Sequence, residues 1–261
     1  MITAELKEKL AKGQVIFGTF FKINSPSIVE MFGYAGFDFI IVDNEHSNFS
    51  FSEIENVIRA GDGVSLHTII RIPGASEEHI LHALDSGASG IQIPSLTTVE
   101  EAKAAMPYTK YYPQGKRGMN TAQRAANFGF MEKNAFFKAS NENTMVVVHV
   151  ENKEMVDQIE ALCQIPEIDV LFVGTGDLSQ SVGKPMQVND PEVVALVEKV
   201  FAAAAKHKKY IGIFAGNTAD AEKYINMGAQ FIGYSNDVTM ITGGMRAVVK
   251  DFDQLRDKLK K

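Results

Sequence analysis

Eight short apolar runs recur along this chain of 261 residues, separated by stretches with helical periodicity. Runs of this kind, bounded by Gly, Pro, Asp or Asn, are typical of buried strands. They read VIFGTFFKI, FDFIIVD, HTIIRI, GIQIP, MVVVHV, DVLFVG, YIGIFA and FIGYS. The stretches between them include SPSIVEMFGYAG and TADAEKYINMG, which end in a glycine that favours a helix stop. Apolar strands alternating with amphipathic helices indicate a parallel sheet covered by helices, and eight repeats predict a closed (β/α)₈ TIM barrel.

A doubly wound open sheet is the main competing fold. Its nucleotide-binding forms carry GxGxxG after the first strand or a GxxxxGK[ST] loop, and this chain has neither. The chain length also suits one α/β barrel, which usually takes about 250 residues. We therefore predict a single barrel domain spanning residues 1–261.

Charge and composition indicate which molecules the protein does not bind and in which compartment it is found. A formal net charge of −6 gives no electrostatic reason to expect binding to nucleic acid. No apolar run approaches the ~20 residues that span a bilayer, and the opening ITAELKEKLAKGQ lacks an apolar signal core. The single cysteine, Cys163, allows no intramolecular disulfide, so we expect a buried structural thiol and a cytoplasmic protein.

Two carboxylates follow neighbouring strands: Glu151 comes after MVVVHV, and Asp177 comes after DVLFVG. The carboxyl ends of all barrel strands share one face, where active sites are built. One or two carboxylates, completed by water and substrate oxygens, are what Mg²⁺ or Mn²⁺ typically uses. The pattern predicts a divalent-metal site at the barrel mouth, although Asp177 is equally open to interpretation as a helix N-cap.

Two further strands end in groups suited to acid–base and electrostatic work. FDFIIVD ends in Asp43 and is followed by Glu45 and His46, and HTIIRI contains Arg71. We predict that Asp43 holds the imidazole of His46 in one tautomer, so that His46 acts as a general base. Arg71 is the candidate stabiliser of an enolate oxygen, since its planar fork makes charge-assisted bonds. Alternatively, Glu45 is a surface carboxylate and Arg71 a member of a structural ion pair.

A Schiff-base mechanism would need a desolvated lysine on a strand. Lys22, at the end of the first strand, is the one credible candidate, and we expect it instead to position a carboxylate or to stay solvated. The stretch from Tyr111 to Asn143 contains no obvious strand. It is either a functional loop near a ligand or a neighbouring subunit, or a loop followed by an ordinary core helix.

Several of these segments together resemble the HpcH/HpaI family of metal-dependent pyruvate aldolases. The resemblance rests on YAGFDFIIVDNEH, IIRIPG, YYPQGKRG, the strand end at Glu151 and VGTGDLSQSVG, in that order over nearly the whole chain. It implies that Glu151 and Asp177 bind Mg²⁺, Mn²⁺ or Co²⁺, that pyruvate chelates this metal, and that Arg71 supports the developing enolate. His46 with Asp43 would then move protons while a 4-hydroxy-2-oxo acid is cleaved to pyruvate and an aldehyde.

The same resemblance implies further site residues and an assembly. Backbone around Gly176 and Phe214 would line the small side of the substrate, and Ser179 would help to fix the metal carboxylate. Family members are typically homo-oligomers, often hexamers that exchange helices. The chain departs from the family at His149, where many relatives have a glutamine that contacts substrate or a metal-bound water, and in having no tryptophan.

Two other functions remain open. A citrate-synthase-like or citrate-lyase-like branch of the same family works on acyl-CoA substrates, whose phosphates require a basic surface. Lys110, Lys116 and Arg117 are the candidates for that surface, and the same run is equally compatible with a solvated loop or a subunit contact. A non-catalytic barrel, by contrast, predicts that a metal ligand or base has been replaced, and here the set is intact.

Overall fold

The computed structural model describes residues 3–259 and closes eight parallel strands into a barrel. Each strand pairs with the next in sequence, and the last pairs with the first. This arrangement confirms the predicted (β/α)₈ TIM barrel. The strands are β1 (Ile16–Phe21), β2 (Phe39–Asp43), β3 (His67–Arg71), β4 (Gly90–Ile93), β5 (Met145–Val150), β6 (Val170–Val173), β7 (Tyr210–Ala215) and β8 (Phe231–Asn236).

Helices follow or precede every strand, and several begin with the side-chain caps that their sequences provide. Ser50 and Glu53 form a reciprocal capping box at one helix, and Thr98 and Glu101 form another. The helices are α1 (Glu5–Ala11), α2 (Pro26–Ala35), α3 (Phe51–Gly63), α4 (Glu77–Asp85), α5 (Val99–Ala105), α6 (Lys133–Asn143), α7 (Lys153–Asp157), α8 (Ile159–Cys163), α9 (Thr175–Ser181), α10 (Pro191–His207), α11 (Thr218–Met227) and α12 (Asp237–Leu259), with 3₁₀ turns at Met106–Thr109 and Arg124–Gly129.

Alternate strand residues supply two separate apolar layers. One set fills the inside of the barrel, and it includes Ile41, Val147 and Phe172. The other set packs against the surrounding helices in a larger cluster. Leu6 and Leu10 of α1 belong to the inner cluster, so α1 closes the end of the barrel opposite the strand carboxyl ends. The open end is therefore the one that carries the charged residues.

The stretch from Tyr111 to Asn143 is a loop followed by helix α6, and its approach to a neighbouring subunit stays a prediction. Phe136 of α6 is buried beside Tyr111 and Ala126 in a small cluster of its own. Arg117 is also buried, where it stacks on Tyr111 and pairs with Asp85 at 2.6 Å. These buried contacts hold the loop against the barrel.

Cys163 is buried in α8, and burial raises the pKa of its thiol to about 11. The thiolate is the reactive form of cysteine, so this side chain is inert at neutral pH. The prediction of a structural thiol is confirmed. Within residues 3–259, no helix combines the length and the apolar character needed to cross a membrane.

Lys110 is 5% exposed, and its ammonium donates to the carbonyl oxygens of Asn141 (2.6 Å) and Thr144 (3.4 Å). Burial lowers the pKa of Lys110 from 10.5 to about 8. Between pH 8 and pH 10.5, Lys110 is therefore protonated in the unfolded chain but mostly neutral in the folded protein. Stability contributed at this site therefore rises as pH increases from about 8 towards 10.5.

We predict that wild-type protein gains roughly 2–3 kcal/mol of unfolding free energy relative to the Lys110→Met variant between pH 7.5 and 10.5. Urea unfolding of both proteins across this range measures the difference. A difference that stays constant with pH would show that Lys110 has an ordinary pKa.

Candidate active site

A cavity of about 520 Å³ opens at the carboxyl ends of the strands. It gathers residues from most of the barrel, far apart in sequence. They are Phe20, Lys22, His46, Arg71, His149, Glu151, Phe172, Gly174, Thr175, Gly176, Asp177, Met186, Phe214 and Asn236. The predicted residues His46, Arg71, His149, Glu151, Gly176, Asp177 and Phe214 all line this cavity. Asp43 lies buried beside it against Arg71, and Glu45 and Ser179 are not part of the lining.

Glu151, which directly follows β5, is held through both carboxylate oxygens. Its Oε1 accepts the backbone N–H of Ser95 at 2.6 Å, and its Oε2 lies 2.5 Å from Nδ1 of His149. Burial alone raises the pKa of Glu151, but the neighbouring His149 and the Ser95 N–H outweigh it and leave the pKa below its ordinary value. The site therefore contains an ionised carboxylate fixed in one orientation.

Gly174 makes room for that carboxylate. A Cβ at this position would lie 2.8 Å from Cβ of Glu151 and 2.9 Å from its Oε2. These separations are shorter than van der Waals contact, so any side chain at position 174 would displace Glu151. This role could not be predicted from the sequence, because a glycine after a strand is compatible with many turns.

Asp177 lies in the first turn of α9, facing the same cavity as Glu151. The N-cap of α9 is Gly174, so the alternative interpretation of Asp177 as an N-cap is wrong. Among residues 3–259, nothing forms a hydrogen bond or ion pair with its carboxylate. Ser179 does not support it, because the Ser179 hydroxyl donates to the carbonyl of Gly176 at 2.6 Å.

Arg71 and Lys22 converge on the fully buried carboxylate of Asp43. Arg71 approaches it through Nε (2.9 Å) and Nη2 (2.7 Å), and Lys22 Nζ lies 2.5 Å from Oδ2. Burial opposes ionisation of Asp43, but the hydrogen bonds and charge of Arg71, followed by those of Lys22, lower its pKa to about 2. The guanidinium carbon of Arg71 lies 4.9 Å from the ring centroid of Phe20, and its Nη1 lies 3.0 Å from Oε2 of Glu45. Arg71 is therefore held on several sides.

His46 is oriented differently from the prediction. Asp43 accepts the backbone N–H of His46 at 3.1 Å, and the carboxylate near its imidazole is Glu45, at 3.6 Å from Nε2. The predicted Asp43–imidazole pair is wrong because the stronger charges of Arg71 and Lys22 occupy both oxygens of Asp43. The His46 side chain is 60% exposed at the cavity rim, free to meet a ligand.

His149 has a buried ring that stacks on Phe172, with ring centroids 5.0 Å apart. Its Nδ1 faces ionised Glu151, so this nitrogen carries the proton in the neutral ring. Nε2 is buried and has no partner among the described residues. A ring that lines the cavity with an unpaired nitrogen is suited to contact a bound molecule.

The barrel, with its charged groups gathered at the strand ends, belongs structurally to the TIM-barrel enzymes. A model of the HpcH/HpaI aldolase/citrate lyase family matches residues 17–242. This chain belongs to that family. The family relationship confirms the resemblance found in the sequence, and it places the chain among the carbon–carbon lyases.

Similar proteins support the assignment along nearly the whole chain. The chain is 33% identical over 257 residues to a 5-keto-4-deoxy-D-glucarate aldolase of Salmonella paratyphi A, covering 98% of this chain and 97% of the relative. An HpcH/HpaI aldolase/citrate lyase family protein from Burkholderia cenocepacia is similar in structure, with a TM-score of 0.91, 29% identity and coverage of 96% of this chain and all (100%) of that one. The citrate synthase SbnG superposes with a TM-score of 0.88 and 28% identity, over 97% and 98% of the two chains.

We predict that Asp43→Asn lowers the unfolding free energy by roughly 3–5 kcal/mol, because it leaves the buried Arg71 and the partly exposed Lys22 without their shared anion. The pKa of Asp43 falls from its ordinary value of 3.8 to about 2 in the folded protein, so the stability that its charge contributes is fully present above about pH 4 and is lost as the pH falls through 2. Urea unfolding at pH 7 tests the effect. Glu45→Gln, which removes a partly exposed partner of the same arginine, is the control and should cost less; equal stability of Asp43→Asn and wild type would contradict the prediction.

Proposed function

We propose that this protein is a class II aldolase that cleaves a 4-hydroxy-2-oxo acid reversibly to pyruvate and an aldehyde, with the help of Mg²⁺, Mn²⁺ or Co²⁺. The observation that carries the proposal is the shared cavity: Glu151 and Asp177 line it together with Arg71. Two anionic oxygen ligands next to a fixed cation suit a substrate that binds through oxygens and develops negative charge.

The donor set fits a hard divalent cation. Glu151 is kept ionised, and Asp177, which lines the same cavity, has no hydrogen-bond or ion-pair partner within the described residues. No group of three His, Cys, Asp or Glu residues suited to a metal occurs within residues 3–259, so substrate oxygens and water would complete the shell. When bound, such an ion would supply Lewis-acid stabilisation of charge on the 2-oxo group.

The protein's own residues would then divide the remaining work. Arg71, held by Asp43, would donate hydrogen bonds to the C2 oxygen as negative charge builds there. His46, at the cavity rim, would take the proton from the C4 hydroxyl during cleavage and return it during addition. Phe20, Phe172 and Phe214 form the apolar wall of the cavity and would keep water from the reacting carbon atoms.

His149, Gly176 and Phe214 are proposed to contact the substrate. The Nε2 atom of His149 would accept a hydrogen bond from a substrate hydroxyl or from a water molecule. Gly176 presents backbone to the cavity, and a Cβ there would meet only the sulfur of Met186, at 3.8 Å. Phe214 is 37% exposed, as expected for a side chain that a ligand would cover.

The acyl-CoA alternative draws support from the similarity to the citrate synthase SbnG. The predicted phosphate surface is wrong, however, because two of its three cations are buried. Lys110 donates to backbone carbonyls, and Arg117 pairs with Asp85. Lys116, which lies against the ring of Tyr108, is the third of these cations and would have to bind a phosphate by itself. We therefore favour the aldolase and expect that free CoA does not compete with pyruvate.

Arg71→Ala should lower kcat/KM for cleavage of a 4-hydroxy-2-oxo acid by ~10²–10³, the loss seen when a positioned donor to a developing oxyanion is removed. The rate of pyruvate release measures it. Arg59→Ala is the matched control, since Arg59 lies on the surface and pairs with Glu55 within α3. Full activity of Arg71→Ala would exclude Arg71 as the stabilising group.

Gly174→Ala should weaken Mn²⁺ binding at least ~10-fold, because a displaced ligand or its support typically costs 10–100-fold in metal affinity. The added methyl would push into Glu151, whereas Gly176→Ala adds the same methyl where it makes an ordinary contact. Electron paramagnetic resonance titration of Mn²⁺ compares the two variants. Equal affinities would show that Glu151 does not bind the ion.

We also propose a homo-oligomer, with a hexamer as the expected form. Helix α12 carries one continuous apolar face that is exposed in the single chain. It repeats at helical spacing and comprises Met245, Val248, Val249, Phe252, Leu255 and Leu259. A second copy of this chain would cover that face, because monomers rarely leave so large an apolar patch in water.

Phe252→Asp combined with Leu255→Asp should dissociate the oligomer, because each change buries a charge in the apolar contact. Light scattering coupled to size-exclusion chromatography measures the mass. Gln254→Asp, on the opposite side of the same helix, is the control and should keep the assembly. A wild-type protein that is monomeric at micromolar concentration would overturn the proposal.

The cytoplasm is the proposed compartment. Cys163 supports this compartment, because it is a buried, unpaired thiol, as is usual for proteins in a reducing environment.

A further inference from the structure

Met186 lines the cavity in a backbone conformation that its side chain disfavours. Its φ angle is +62°, in the left-handed region, which a bulky side chain rarely adopts because Cβ then crowds the following carbonyl oxygen. The residue is 78% exposed, so burial of apolar area does not offset this conformation. A strained residue that persists at a functional cavity is a candidate for a functional role.

The strain arises in a tight turn formed by residues 184–187, in which Met186 takes the third position. The N–H of Gln187 donates to the carbonyl oxygen of Lys184 at 3.0 Å. Pro185 at the second position and a positive φ at the third are the features of a type II turn. The third position of such a turn favours glycine or asparagine. This chain therefore carries a long apolar side chain at a position where turn chemistry disfavours one.

Contacts on both sides hold the turn in place. The N–H of Lys184 donates to the carbonyl oxygen of Ser179 in α9 at 2.9 Å. Its Nζ pairs with Asp190 at 2.6 Å and with Glu192 at 2.9 Å, where α10 begins. None of these contacts uses the side chain of Met186. The turn thus presents that side chain from a fixed backbone, which limits the freedom lost when a ligand binds.

The thioether of Met186 lies beside the proposed metal site. A Cβ added at Gly176 would lie 3.8 Å from Sδ of Met186, so the sulfur stands over the residue that precedes Asp177. Phe214, which is partly exposed, lines the same cavity from the neighbouring strand β7. His46 follows β2, which is four strands from β6 in the closed ring. Met186 and Phe214 therefore form an apolar surface on the side of the cavity opposite the proposed base.

We propose that Met186 and Phe214 form an apolar subsite for an alkyl group of the substrate. The inference rests on the proposed aldolase function and deepens it by giving the class of substituent, which is apolar rather than hydroxylated or charged. Methionine suits this role because its unbranched, polarisable side chain adapts to the shape of a ligand. Each methylene that a ligand buries there should strengthen binding about fourfold. Met186 is thus a specificity-determining residue.

Binding of two 2-oxo acids tests the subsite without turnover. 2-Oxohexanoate extends pyruvate by an alkyl chain and lacks the 4-hydroxyl needed for cleavage. Calorimetric titration in the presence of Mg²⁺ should show that the wild type binds 2-oxohexanoate at least ~10-fold more tightly than pyruvate. Met186→Gln keeps the length of the side chain but makes its end polar, and it should reduce this preference ~3–10-fold. Met31→Ala, at an exposed methionine of α2, is the control and should keep the preference.

Kinetic ratios locate the alkyl group on the substrate. Additions of pyruvate to pentanal and to glycolaldehyde give one ratio of kcat/KM, which reports the aldehyde. Additions of 2-oxobutanoate and of pyruvate to glycolaldehyde give the other, which reports the 2-oxo acid. The group that the subsite binds is the one whose ratio falls ~3–10-fold in Met186→Gln.

Met186→Gly separates a role in specificity from a role in holding the loop. Glycine removes the side chain and suits the positive φ of the turn. The variant should therefore lose the preference for 2-oxohexanoate, yet unfold at a urea concentration equal to or higher than that of the wild type. A side chain that only stabilised the loop would give a lower urea midpoint.

Three results would overturn the proposal: no preference for 2-oxohexanoate in the wild type, an unchanged preference in Met186→Gln, or a lower urea midpoint for Met186→Gly. Failure of the aldolase assignment is recognised separately, because the wild type would then add pyruvate to neither aldehyde.

Discussion

Closure of the parallel sheet is the constraint from which the rest of this molecule follows. Because β8 pairs with β1, the carboxyl ends of all eight strands must form one ring. Groups separated by more than a hundred residues, such as Arg71 and Asp177, are thereby brought to one cavity. The apolar interior beneath that ring makes the cavity floor rigid, so the positions of the charged groups are set by the barrel and not by flexible loops.

Two buried carboxylates at the strand ends, Asp43 and Glu151, have different electrostatic environments. Asp43 is saturated by cations and backbone N–H groups, and its low pKa makes it a fixed anion rather than a base. Glu151 is also ionised, but its partners, His149 and the Ser95 N–H, are weaker than a pair of full cations. Glu151 is the carboxylate that we propose as a metal ligand. The two environments differ in that Asp43 positions Arg71, whereas Glu151 has no full cation paired with it.

Strand positions and strand-end residues could be predicted from the sequence because both follow from local patterns. Apolar runs of strand length identify β1 to β8, and barrel geometry then brings Glu151, Asp177 and Arg71 together. Side-chain pairing was not predictable in the same way. Asp43 is three residues from His46, which suggested a pair, but the charge of Arg71 from the next strand prevails.

The burial of individual cations could not be predicted from the sequence either. Lys110 and Arg117 read as a basic surface in the sequence, yet one covers carbonyl groups at the end of α6 and the other fills the space beside Tyr111. The role of Gly174 depends on its distance from Glu151, and no pattern within one strand encodes that distance. Tertiary contacts of this kind decide which of several charged residues face the ligand.

Exchange of the pyruvate methyl protons for deuterium, followed by NMR in D₂O, is the decisive measurement for the proposed aldolase, because it reports enolisation without requiring the aldehyde. We expect exchange in the presence of Mg²⁺, Mn²⁺ or Co²⁺, its loss on addition of EDTA, and its recovery when the ion is restored. Absence of exchange with each of the three ions, in protein that is folded, would contradict the proposed aldolase chemistry.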